Sequence, residues 1–150
     1  MNLVEIKNTT LSINNENVLK NLNFELSQGE MKFLIGKTGS GKTTFINSIF
    51  GNLKPSRSEL FKVLNFNINN MGDSEIPYLR RQIGFVFQDF KLLKDRNIFE
   101  NLEFVLKATG WTELDKINNQ VNKVLELVGF DSPTAKFPNE LSGGEQQRVA

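Results

Sequence analysis

The chain contains no cysteine and no histidine. The first absence excludes disulfides and thiolate metal sites. The second removes every imidazole base, nucleophile and metal ligand from these residues. A charge of one sign is also missing: 18 Lys and Arg stand against 17 Asp and Glu, a net charge of +1. That argues against nucleic-acid binding through a basic surface. No run approaches the roughly 20 apolar residues of a spanning helix. The opening Met1-Asn2-Leu3-Val4-Glu5-Ile6 alternates like a strand and is not expected to be a signal peptide. A cytoplasmic location is therefore expected, with any membrane role supplied through a partner chain. Internal repeats and low-complexity tracts are absent. Asparagine is frequent but diffuse, and no mechanism is read from it.

What is present suits a globular domain, or a large part of one: 150 residues, 39% hydrophobic and 23% charged. Residues 3–7 and 18–26 alternate as strands around the turn-like Asn14-Asn15-Glu16-Asn17. Residues 32–35 read as a short buried strand, followed by a Gly-rich loop and a helix over 43–50 that Gly51 stops. Residues 60–66 predict a strand, 76–82 a short helix around Pro77, and 83–87 a second buried strand. Helical stripes follow over 97–107 and 114–128, the second ended by Gly129, with Trp111 leading into it. The segment 131–140 contains Pro133 and Pro138 and predicts a loop, after which Ser142 caps a further helix. Strands, loop, helix, strands and a helical block together predict an α/β core with a helical insertion.

Gly36-Lys37-Thr38-Gly39-Ser40-Gly41-Lys42-Thr43 matches the phosphate-loop pattern G-x-x-x-x-G-K-[ST] in full. Glycines let successive N–H groups converge on phosphate oxygens. The helix that follows, with Thr44 in its first turn, points its positive end at the same anion. Lys42 supplies a mobile charge for the β and γ phosphates, and Thr43 a hydroxyl for Mg²⁺. The expected ligand is therefore a nucleotide polyphosphate with Mg²⁺.

Leu141-Ser142-Gly143-Gly144-Glu145-Gln146-Gln147-Arg148 is the second motif. Ser142 suits an N-cap, Glu145 the third helical position of a capping box, and Gly143 and Gly144 leave the first N–H groups uncovered. Alone, this fits an ordinary capped helix as well as it fits an anion site. Gln88, after the strand expected over 83–87, would by itself be a surface glutamine.

Together the two motifs resemble the ABC ATPases. Leu141 to Gln146 looks like that family's signature sequence, and Gln88 stands at its Q-loop. The resemblance implies a P-loop NTPase core with an antiparallel β subdomain and a helical subdomain. The core would span about 1–88, the helical subdomain about 89–142, and the start of the signature helix 143–150. It implies catalytic roles for Lys42 and Gln88, with Gln88 also contacting Mg²⁺. Ser142, Gly143, Gly144 and Glu145 of one subunit would close on ATP held by another, in a head-to-tail homodimer. Gln88-Asp89-Phe90-Lys91-Leu92-Leu93-Lys94-Asp95-Arg96, with Tyr78-Leu79-Arg80-Arg81 before it, is most similar to cell-division ATPases of the FtsE type. These imply an ATPase peripheral on the inner face of the cell membrane and bound to an FtsX-like integral membrane partner. Phe90, Leu92, Leu93 and Phe99 could form a groove for that partner's helix or could pack the helical block's own core; the pattern does not separate the two.

Two departures from the family stand out. Where the family stacks an aromatic on adenine, this chain has Leu11 or Ile13; Phe24 and Trp111 read as packing residues. No Asp-Glu pair ending an apolar strand follows the signature, and no histidine exists to sense the γ-phosphate. The expectation is a fold incomplete at its C-terminus and inactive in hydrolysis alone. The competing expectations are the ATPase of a lipoprotein or drug exporter, and a non-hydrolytic nucleotide-binding fragment.

Overall fold

Two long strands, β1 (Asn2–Ile13) and β2 (Glu16–Ser27), pair antiparallel with Ile13 facing Glu16. The two-residue connection needs a left-handed backbone at both central positions, and asparagine tolerates it: φ is 51° at Asn14 and 66° at Asn15. A computed structural model describes residues 1–150, which divide into two compact units, Met1–Gly84 and Phe85–Ala150. All strands lie in the first unit, in the order β2-β1-β3-β4, with β3 (Leu60–Val63) and β4 (Phe66–Asn67) also antiparallel. The stretch 60–66, expected as one strand, is broken at Leu64, where φ is 54°. The ladder shifts register between Ile6 and Thr9 and between Thr9 and Leu11. The left-handed Asn8 and Asn21 lie at these irregularities, with φ of 44° and 51°. Asparagine therefore has a structural use that its diffuse distribution did not announce.

Helix α1 (Lys42–Ile49) lays Phe45 against the sheet, edge-on to Phe24 with ring centroids 4.9 Å apart. Phe45 joins Val4, Ile6, Leu11, Phe61 and Val63 in the core of this unit, and Phe24 packs against it as expected. Gly51, left-handed at φ 76°, follows the helix. Helix α2 (Ile76–Arg80) carries Pro77 in its first turn, where a missing N–H costs nothing.

The second unit is helical. Helices α3 (Ile98–Ala108) and α4 (Leu114–Leu127) bury Ile98, Ile117, Val121 and Leu125 with Phe130, Leu141 and Val149. Helix α5 (Gly143–Val149) begins at the Ser142 cap. Trp111 precedes α4 by three residues rather than beginning it, and Leu114 is exposed.

Neither buried strand read from the sequence forms. Residues 32–35 and 83–87 take no strand conformation. Phe33 is 79% exposed, Ile35 89% and Val86 62%. An interior strand needs hydrogen-bonding neighbours and cover on both faces. The four strands form one antiparallel sheet, and neither segment is among them.

Candidate functional site

The loop 36–41 enters α1 through Gly41, whose φ is 89°. A side chain there would also meet Leu19 Cδ2 at 2.8 Å and Val18 Cγ1 at 3.1 Å, so both backbone and packing require glycine. Across the loop, a Cβ on Gly36 would fall 2.6 Å from Ser40 Oγ. The Lys42 ammonium folds back into this ring and donates to the carbonyls of Gly36 at 2.7 Å and Lys37 at 2.8 Å. Ser40 N donates to Lys37 O at 3.2 Å, closing the loop's own turn. Thr43 is exposed at the first turn, whereas Thr44 is buried beneath it.

The N-terminus of α1 has no side-chain cap and no acidic residue in its first turn. Its first N–H groups therefore lack an internal acceptor and face the mouth where Lys42 sits. Uncapped donors, a lysine and a glycine cradle fit a polyphosphate. No cluster of three His, Cys, Asp or Glu side chains could hold a metal ion. A divalent cation here would rest on the neutral oxygen of Thr43 and on phosphate.

The second unit holds the remaining candidates. Gln88 is exposed on a turn in which Phe90 N donates to Phe87 O at 3.1 Å. Phe90 and Lys91, with φ of 55° and 54°, are both left-handed, a costly conformation for side chains of this size. The Asp89–Lys91 pair at 2.6 Å spans that bend and lowers the Asp89 pKa, chiefly through the side-chain hydrogen bond.

At α5 the capping box forms as its sequence predicts. Ser142 Oγ accepts from Glu145 N at 3.3 Å, and Glu145 Oε2 accepts from Ser142 N at 2.8 Å. Glu145 takes two further donors, the Ser142 hydroxyl at 2.6 Å and the Ser132 hydroxyl. These donors, the Ser132 hydroxyl most, lower its pKa to about 2. A side chain added at Gly143 or Gly144 would meet no atom within 4 Å. Nothing in the chain's own packing asks for glycine at either position.

Of the two positions that replace the expected aromatic, Leu11 is fully buried in the core and Ile13 is exposed at the hairpin end. Only Ile13 can face a ligand. Phe90, Leu92 and Leu93 line an apolar groove of about 440 Å³ with Phe87, Phe104 and Val105. Phe99 does not line it and packs on the core, as Leu92 also does in part. Two side chains that shape this unit went unread in the sequence. Asn101 carried a signal, since it is a polar residue on the apolar stripe of α3, three places after Ile98. Ser132, in a loop, carried none.

A family model described as ABC transporter matches residues 19–150. The cell division ATP-binding protein FtsE of Streptococcus pneumoniae (serotype 2, strain D39) is 36% identical over 151 residues, covering 100% of this chain and 65% of the relative. The methionine import ATP-binding protein MetN of Helicobacter pylori (strain HPAG1) is 40% identical over 149 residues, 99% of this chain and 45% of the relative. A solved dimer, a post-hydrolysis state of an ATP-binding cassette bound to ADP and Pi, superposes with a TM-score of 0.82 at 34% identity. That superposition covers 97% of this chain and 66% of the other. The chain thus spans just under two thirds of the FtsE relative and of the cassette. With the family model covering residues 19–150 and the fold shared with solved cassettes, the chain belongs to the ABC transporter family.

Proposed function

We propose that this chain is the ATP-binding part of an FtsE-like ABC ATPase. The observation that carries the reading is the N-terminus of α1: uncapped, free of acidic residues, and joined to Lys42 and a loop whose Gly41 is left-handed and crowded by Leu19 and Val18. ATP would displace the Gly36 and Lys37 carbonyls from Lys42 and accept from the α1 N–H groups. Mg²⁺ would rest on Thr43; for Gln88 the family resemblance implies a role toward the metal and the attacking water. The bound nucleotide supplies the phosphoanhydride whose cleavage drives the family's work; these residues bind and orient it.

Ser142, Gly143, Gly144 and Glu145 would meet the nucleotide of a second copy. The open space beside both glycines supports this, since their lack of side chains serves nothing inside the chain. In the expected setting the chain sits on the inner face of the membrane with an FtsX-like partner, and Leu93 stands on the docking groove. The expected outcome of Leu93→Asp is weaker partner binding with ATP affinity intact; equal loss of both would show a folding role instead.

Calorimetric titration with ATP-Mg²⁺ tests the core claim. Lys42→Ala is expected to lose at least about tenfold in affinity, the worth of one charge-assisted contact. Unchanged affinity would sink the reading. On its own, the chain is expected to bind ATP weakly and to show no measurable turnover. These residues hold no histidine and no Asp-Glu pair after the signature; vigorous Mg²⁺-dependent hydrolysis would overturn that expectation. A second reading, an importer ATPase, is favoured by the MetN match over 99% of the chain. Co-purification with a division-type or an importer-type membrane subunit separates the two.

A further inference from the structure

Ser132 lies in the loop between α4 and α5, and its hydroxyl donates to Glu145 Oε1. The other oxygen, Oε2, accepts from Ser142 N at 2.8 Å and Ser142 Oγ at 2.6 Å. Both carboxylate oxygens are thereby engaged. The loop that carries Ser132 is itself fixed: Lys136 O accepts from Ile98 N at 2.9 Å and Thr134 O from Phe99 N at 3.1 Å, both at the start of α3. A glutamate's χ1 and χ2 each have several staggered rotamers, so a carboxylate with fewer partners can swing to another of them. Turned toward the N-terminus of α5, it would place a negative charge against the N–H groups of Gly143 and Gly144. Held by Ser132, it leaves them clear.

We propose that Ser132 is a positioning residue, one that pins the Glu145 carboxylate so that Ser142 is fixed and the Gly143–Gly144 face stays open to a nucleotide phosphate. This rests on the reading of Ser142 to Glu145 as a nucleotide contact. Ser132 itself touches no phosphate in this scheme. Lys136 is the charged neighbour that also favours the ionised Glu145, and it acts by charge rather than by a directed bond.

The test uses the 150-residue chain without nucleotide and follows hydrogen exchange of the Ser142 N–H near neutral pH. In Ser132→Ala this exchange is expected to quicken by roughly tenfold, as loss of a hydrogen bond to a charged group implies. Ser132→Thr, which keeps the hydroxyl, is expected to restore the slow rate. In a Glu145→Gln background, Ser132→Ala is expected to add little, because the charge it holds is gone. Exchange at Ser142 that is unchanged in Ser132→Ala, or that Ser132→Thr fails to rescue, overturns the proposal. A second arm measures ATP-dependent pairing of two copies, expected to weaken in Ser132→Ala while Lys42-dependent ATP affinity holds. Wild-type chain that binds ATP but never pairs would overturn the two-copy reading, and the exchange result at Ser142 would still decide the role of Ser132.

Discussion

At the scale of single residues, the glycines of the two motifs separate packing from function. Gly41 has a left-handed backbone and the Leu19 side chain 2.8 Å from its missing Cβ. Gly41→Ala is expected to destabilise the first unit by about 2 kcal/mol or more, from the backbone penalty and the clash with Leu19 together. Gly144 has open space around it and no left-handed φ. Gly144→Ala is expected to leave stability unchanged or raise it by up to about 1 kcal/mol, the helix-propensity gain, while lowering ATP-dependent pairing. Urea denaturation of both variants checks the contrast; equal destabilisation would mean that Gly144 is a folding residue. Glu145 adds a pH dependence of definite sign. Its folded pKa lies below its unfolded one, at about 2. The stability it lends is present above the unfolded value and is lost as pH falls from there toward about 2. Glu145→Gln should therefore flatten the acid limb of a stability-versus-pH curve and leave the neutral region's slope alone.

Elements owe their shape here to polar side chains that a hydrophobic pattern does not see. Asn101 is buried in α3 and pairs with Leu93 in both directions, accepting from its N–H at 2.7 Å and donating to its carbonyl at 3.0 Å. It also donates to Arg96 O at 3.1 Å and Asn97 O at 2.9 Å. The side chain acts as a short piece of β-ladder that fastens the segment after Gln88 onto α3. Asn101→Ala would leave the Leu93 N–H without its acceptor and Leu93 O with only the Arg96 N–H at 3.3 Å, a cost of about 1–3 kcal/mol. Faster exchange at the Leu93 amide than at the α4 amides is the expected outcome; a uniform rise across both helices would indicate global unfolding instead. Helix existence was legible from the stripes at 98–106 and 114–125, because a 3.6-residue period is a property of sequence. The hairpin was legible too, from alternation around Asn14-Asn15. The bulges at Asn8 and Asn21 were not, since one inserted residue disturbs alternation no more than a polar residue does. The Asn101 fastening depends on which carbonyls a loop brings near, and only the folded chain decides that.

For the whole molecule, the decisive feature is apolar surface that the chain's own strands leave uncovered. The sequence read residues 32–35 as an interior strand, and the apolar character it detected is real. Its partners are what the pattern could not supply, and Met31, Phe33 and Ile35 stand 78%, 79% and 89% exposed. Phe33 and Leu34 also line an apolar pocket of about 350 Å³ with Phe24, Phe45, Ile46 and Ile83, all within the first unit. Exposed apolar clusters of this kind drive self-association, and an unpaired, β-prone backbone beside them adds a template for strand addition. The 150-residue chain is therefore expected to bind an apolar dye in its folded state and to aggregate at micromolar concentration. Phe33→Ser with Ile35→Ser should reduce both effects without loss of thermal stability, because neither side chain belongs to the buried core. A chain that stays monomeric by light scattering and binds no dye would show that this surface is covered in solution. Loss of stability in the double variant would place residues 33 and 35 inside a packed strand after all, as the bare sequence pattern suggested.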